Sequence, residues 1–288
     1  MSNAGILVLN SGSTSLKFAL YSYVNNQLHV VAQGGFAGMP ANATLSACDA
    51  SGAKFIDLKF SNQDNVDHEA ALKKLLTILQ DKFPDLDISY AGHRIVLGGD
   101  KYLTATKLDD ESLDYLESLS QIEPTHQYYE VMGARALAKV FHNIKQSATF
   151  DTSFHRTMPE VAEFYPVPET ITNHGVRHWG FHGISYAYIS SQLKTLFPHA
   201  KKAIVAHLGG GASLCAMQDF KSIETSMQFG AITGLPMATR SGDFPADAIF
   251  YLLKQGFYNV ESLEKELEKH SGLLGASLGL SEDMRTLE

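Results

Sequence analysis

The first third of the chain alternates short apolar runs with polar, glycine-containing turns. Residues 6–9 are apolar, Asn10-Ser11-Gly12-Ser13-Thr14-Ser15 is turn chemistry, and residues 16–21 resume the apolar run. That order predicts strand, turn, strand. Residues 29–33 read as a further strand. Over residues 67–83 the period changes. Leu72, Leu75, Leu76 and Leu79 recur at i, i+3, i+4 and i+7, which predicts a helix with one buried face, and Pro84 stops it. Residues 88–96 read as a strand running into Gly98-Gly99. Helices follow near 109–119 and 127–141, and residues 148–150 form a strand that leads into Asp151.

The second half repeats the opening grammar. Residues 204–206 are a strand, His207-Leu208-Gly209-Gly210-Gly211-Ala212-Ser213 is a glycine-rich turn, and residues 214–217 are the return strand. Both segments read strand, polar residue, glycine turn, serine, strand. Either one domain has been duplicated, or two β-hairpins resemble each other by chance. Helices are expected at 246–254 and 260–270. A third opens at Ser281, which suits an N-cap, with Glu282 and Asp283 in its first turn.

Length, charge and cysteines narrow the class. A chain of 288 residues predicts two domains and a sizeable core. A net charge of -8 with no basic stripe argues against a nucleic-acid partner. An anion must therefore be bound by local donors. Cys48 and Cys215 form no CxxC and no metal-like spacing, so no disulfide framework is expected. The N-terminus has no basic region and only a short apolar run, neither leader nor membrane span, and a cytoplasmic setting follows.

A phosphate site needs backbone N–H groups that converge, hydroxyls and a nearby cation. Asn10 to Lys17 and His207 to Ser213 both supply such turns. Neither has P-loop or GxGxxG spacing, and each alone is a weak signal. Polar residues at strand ends add to them: His93-Arg94, Asp151, His155, His182 and Arg240. Taken singly, each is more readily a satisfied structural residue. Together they form a set suited to phosphoryl transfer, which needs cations on the equatorial oxygens and in-line positioning.

These motifs, in order, resemble the acetate kinase family: NSGSTSLKF, HRIVLGG, PTHQ, FDTSFH, WGFHGISY, HLGGGAS, ETSMQF, GLPMATRSGD and SGLLGASLGLSEDMR. The resemblance spans nearly the whole chain. It implies an α/β fold of the acetate/sugar kinase–heat-shock–actin superfamily, with two ribonuclease-H-like domains at 1–150 and 151–288. It also implies reversible transfer of the ATP γ-phosphoryl group to acetate, giving acetyl phosphate and ADP. On the same basis Asn10 and Asp151 lie at Mg²⁺ or Mn²⁺. Ser13, Ser15, Lys17, His207, Leu208, Gly209, Gly210, Gly211, Asp283, Met284 and Arg285 contact the nucleotide. Arg94 holds the substrate carboxylate, Val96 and Phe181 line its methyl pocket, and His182, Arg240 and His126 surround the phosphoryl group. The family implies a homodimer.

Departures from the family pattern are Leu97, Thr125, Gln127, Gly210 and Ala231. Thr125 and Ala231 imply a more polar, roomier acid pocket, which admits propionate. Family members continue past the DMR motif, so an incomplete second domain is expected, lacking a glutamate at the metal. A non-catalytic binding module is the alternative reading, and a sugar kinase is a weaker third.

Overall fold

The computed structural model describes residues 3–288 and divides into two compact units, the first ending at Phe150 and the second running Asp151–Glu288.

The first unit is built on an eight-stranded mixed sheet. Strands β1 (Asn3–Ser11), β2 (Ser15–Val24), β3 (Gln27–Ala37), β4 (Thr44–Asp49) and β5 (Lys54–Lys59) form an antiparallel meander. Helix α1 (His68–Lys82) then crosses over to β6 (Leu86–Ile95), which pairs parallel with β1. After β7 (Thr106–Lys107), α2 (Asp110–Ser118) and α3 (Gln127–Val140), strand β8 (Lys145–Phe150) pairs parallel with β6 and antiparallel with β7. Strand order is β5-β4-β3-β2-β1-β6-β8-β7.

Helix α1 starts where its sequence says it should. The Asp67 carboxylate accepts from Ala70 N at 2.8 Å, a cap worth about 1 kcal/mol. Its buried leucines, Leu72, Leu75, Leu76 and Leu79, pack with Leu7, Leu9, Leu16, Phe18 and Leu20 of the sheet. Each such side chain contributes about 1.5–3 kcal/mol by leaving water. A second core joins Ile95, Ala148 and Phe150 to Leu113 and Leu116 of α2 and to Val131 and Ala134 of α3. These two cores fix α3 against the end of β6, where Arg94 stands.

The second unit opens with short helices α4 (Glu160–Glu163) and α5 (Glu169–Thr172), followed by α6 (Gly183–Leu196). A three-stranded antiparallel sheet comes next, β9 (Lys202–Leu208), β10 (Ala212–Gln218) and β11 (Lys221–Thr225). Strands β9 to β11 repeat the hairpin-plus-strand arrangement of β1 to β3. Tyr186 of α6 packs on Cys215 and Met217 of β10. Helices α7 (Ala246–Lys254), α8 (Val260–Lys269), α9 (Gly272–Ala276) and α10 (Met284–Leu287) complete the unit.

The structure corrects one expected boundary. Asp283, not Ser281, caps α10 and accepts from Arg285 N, while the Ser281 hydroxyl accepts from Asp283 N one step earlier. Strands β4, β5 and β11 and helix α6 have no counterpart in the sequence reading. Among the described residues no helix is long and apolar enough to cross a membrane.

Candidate active site

In the first unit the candidate residues gather at the β1–β2 turn and the end of β6. Asn10 is the next-to-last residue of β1 and pairs with Lys17 across the hairpin. Ser13 and Ser15 flank the turn, which Gly12 N closes onto Ser15 O at 2.8 Å. The His68 ring, at the start of α1, bonds Gly12 O at 2.9 Å and ties the turn to the helix. Arg94 Nη1 donates to Asn10 Oδ1 at 3.4 Å and to Glu130 Oε1 at 2.7 Å. Val96 is buried two residues further on. His126 sits at the N-cap position of α3, its Nδ1 3.0 Å from Glu123 Oε1, and the Thr125 hydroxyl donates to the same oxygen at 2.6 Å.

In the second unit the candidates meet around the β9–β10 turn. The His182 and His207 rings are stacked, and each is anchored by a serine. Ser213 Oγ lies 2.8 Å from His182 Nδ1, and Ser185 Oγ lies 3.0 Å from His207 Nδ1. Tyr186 bonds the same Ser213 hydroxyl at 2.6 Å, and burial pushes its phenol up to about 12, so it stays protonated. A β-carbon at Gly211 would stand 3.4 Å from His182 Nε2 and 3.8 Å from Arg240 Nη1. The bare glycine backbone thus opens a niche faced by an imidazole and a guanidinium. Arg240 Nη1 is steadied by Ala231 O at 3.0 Å, and Gly210 O accepts from Ala238 N at 3.1 Å.

Asp151 and His182 are joined through the main chain. Gly183 N, the first residue of α6, donates to Asp151 O at 2.8 Å. His182 precedes it with φ 61°, a left-handed conformation that costs a non-glycine residue about 1 kcal/mol. Such strain concentrates at working sites. Phe181 is buried, and its carbonyl accepts from His155 Nε2 at 2.9 Å.

Two histidines of the sequence reading turn out to be scaffolding. His93 is buried, donates to Gln146 Oε1 at 2.7 Å, and burial lowers it to about 4. His155 is buried with both ring nitrogens bonded, to Ser222 and to Phe181 O, and burial again lowers it to about 4. Both rings are neutral and occupied.

Comparison with known proteins decides what this arrangement belongs to. The acetokinase family model matches residues 5–288. An acetate kinase of Methylocella silvestris is 38% identical over 98% of this chain and 72% of its own length. In solved structures, a propionate kinase of Francisella tularensis superposes with TM-score 0.89 at 33% identity, over 98% of this chain and 72% of that one. An acetate kinase of Porphyromonas gingivalis gives TM-score 0.86 at 31% identity, over 99% and 72%.

The chain belongs to the acetokinase family. Its fold is therefore the mixed α/β fold of the actin-like kinases, and the repeated hairpin motifs are part of that fold. The outermost candidates lie at α10, which Asp283 caps and Met284 and Arg285 open. Arg285 Nη2 bonds Asp283 Oδ2 at 2.5 Å, and the guanidinium holds the carboxyl down to about 2. Leu208 is largely exposed at the hairpin tip, and Gly209 N closes the turn onto Gly211 O at 3.0 Å.

The sequence reading missed three polar residues at these sites: Glu123, Glu130 and Ser185. A signal for one existed. Gln127 and Glu130 are polar residues at i, i+3 on the helix face that also carries Val131, Ala134 and Leu137. Polar side chains in an apolar stripe need buried partners, which the structure supplies.

Proposed function

We propose that this chain transfers the γ-phosphoryl group of ATP to a short-chain carboxylate, acetate or propionate, reversibly. Family membership supports the reaction. The observation that carries the geometry is the Gly211 niche, a side-chain-free backbone turn flanked by His182 and Arg240. An imidazole and a guanidinium beside a bare glycine backbone suit a phosphoryl group carrying charge on three equatorial oxygens.

The step balances without an external base. A carboxylate oxygen of the acid attacks the γ-phosphorus, the bond to the bridging β–γ oxygen breaks, and ADP leaves with that electron pair. His182 and Arg240 are assigned to the equatorial oxygens, with His126 as a further donor. Arg94 is assigned to the carboxylate of the acid, because its planar fork matches two oxygens. Val96 and Phe181 are assigned to its alkyl end. Ser13, Ser15, Lys17, the turn from His207 to Gly211, and Asp283 to Arg285 are assigned to the nucleotide.

A divalent cation is proposed at Asn10 and Asp151, where oxygen donors fit Mg²⁺, or Mn²⁺. Among the described residues no cluster of three or more His, Cys, Asp or Glu could hold a metal. Mg²⁺ commonly keeps phosphate and water oxygens beside one or two protein carboxylates. Bound there, it would neutralise phosphate charge. Thr125 and Ala231 favour an acid slightly larger than acetate, a difference worth only about 1–3 kcal/mol per methylene. A homodimer is proposed on family resemblance alone. A cytoplasmic setting is supported by the two unpaired thiols.

The test is trapping of acyl phosphate by hydroxylamine with ATP, Mg²⁺ and acetate, propionate or butyrate. Hydroxamate is expected with the first two. Folded protein that yields none with any acid overturns the proposal, and calorimetric nucleotide binding without turnover would establish a binding module instead.

A further inference from the structure

We infer that Glu130 is the positioning residue of the acid-binding site: it fixes Arg94 and Val96 in the geometry that receives the carboxylate. The inference rests on the role proposed above for those two residues.

Glu130 is 1% exposed and its side chain is fully enclosed. Burying an isolated carboxylate costs several kcal/mol unless both oxygens are matched. Here both are. Oε1 accepts from Arg94 Nη1 at 2.7 Å, and Oε2 accepts from Val96 N at 2.7 Å. Both distances are those of charge-assisted hydrogen bonds. Glu130 stands in the first turn of α3, where the helix dipole favours negative charge.

Gln127, one turn earlier, extends the bracket. Its Oε1 accepts from Leu97 N at 2.9 Å, and its Nε2 donates to Leu97 O at 3.1 Å and Leu116 O at 2.9 Å. Two side chains of α3 thus hold the stretch from Arg94 to Leu97 where β6 gives out. A carboxylate needed only for packing could pair with any cation. This one divides its oxygens between the side chain and the main chain of the two residues assigned to the acid. An unrestrained arginine side chain carries about 2 kcal/mol of rotamer entropy. With that freedom already removed, the incoming acid meets a preset fork.

The test compares Glu130→Gln, which keeps volume and removes charge, with Arg94→Ala. The readouts are KM for acetate, KM for ATP, and the rise in Tm caused by acetate against chloride at equal ionic strength, which needs no turnover. Glu130→Gln is expected to raise the acetate KM by about tenfold or more and to abolish the acetate-induced Tm rise, with the ATP KM unchanged. If Arg94→Ala leaves both acetate readouts unchanged, the assignment of Arg94 fails and the inference falls with it. If Arg94→Ala abolishes them and Glu130→Gln does not, or tightens acetate binding, the inference alone fails. Should Glu130→Gln not fold, Glu130→Asp keeps the charge but shortens the reach. It must show the same split between the two KM values, and equal changes in both would assign Glu130 to folding only.

Discussion

The rings of His182 and His207 lie nearly parallel, with centroids 4.0 Å apart and planes inclined by 19°. The first stands at the N-cap of α6 and the second near the end of β9. Each Nδ1 is tied to a serine of its own, which restrains the rotation of each ring. The stack therefore presents His182 Nε2 to the Gly211 niche in one orientation.

Replacing His182 by Asn tests that arrangement. Asparagine tolerates the left-handed backbone. Stability should change by no more than about 1 kcal/mol, while kcat falls by about 10²–10³, the effect of losing one donor at a developing charge. Urea denaturation and steady-state kinetics check the two halves. An unchanged kcat removes His182 from the reaction.

Gly211→Ala should fold normally, because its new methyl group meets His182 Nε2 only at 3.4 Å. It would nevertheless occupy the niche. A displacement of about 1 Å costs about 10²-fold, and kcat/KM for ATP is expected to fall by that order. Full activity in this variant would move the phosphate site elsewhere.

Gly180→Ala should fail for the opposite reason. Gly180 has φ +73°, and an added β-carbon would lie 2.6 Å from His155 Cγ and 2.8 Å from Thr225 Cγ2. The His155 ring is hydrogen-bonded on both sides and cannot retreat. A loss of about 3 kcal/mol is expected, from strain and overpacking together. Thermal denaturation measures it.

Acid should destabilise both units well above the carboxylate range. His93 and His155 are held neutral at about 4 against an ordinary 6.5. Between those values the unfolded chain binds protons that the native chain does not, so stability rises with pH. Their contribution is complete above about pH 6.5 and is lost as pH falls toward 4, on the order of 3 kcal/mol for each ring. Urea midpoints between pH 7.5 and 4.5 should fall accordingly. A flat profile contradicts the burial of the neutral rings.

One thiol, not two, should react with a disulfide reagent in the native protein. Cys215 is fully buried and burial pushes its thiol up to about 11, whereas Cys48 is half-buried. Both should react after denaturation.

The sequence made the first unit more legible than the second, and the reason is periodicity. The leucine spacing of α1 and the Pro84 stop are local signals, and the helix lies where they put it. Helix α6 escaped notice because it buries only Gly183, Tyr186 and Ser190, leaving no apolar stripe to read. The site divides along the same line. The glycine turns and the isolated Arg240 stand out because they break apolar runs. Glu130 interrupts the apolar stripe of α3 as well, but its meaning depends on Arg94 and Val96, more than thirty positions away. His155 joined the candidate polar set for the same reason in reverse: its partners Ser222 and Phe181 O are invisible in a linear chain.

The bond from Gly183 N to Asp151 O has a consequence for selection as well as for shape. One backbone hydrogen bond couples the main chain that carries the Asp151 carboxylate to the main chain beside the His182 imidazole, so a nudge to either backbone is felt by both. Drift at the residues that flank them cannot tune one without disturbing the other. The pair should therefore respond to mutation as a single lever, and double variants around residues 152 and 183 should show non-additive losses, a sign of shared machinery rather than two separate parts.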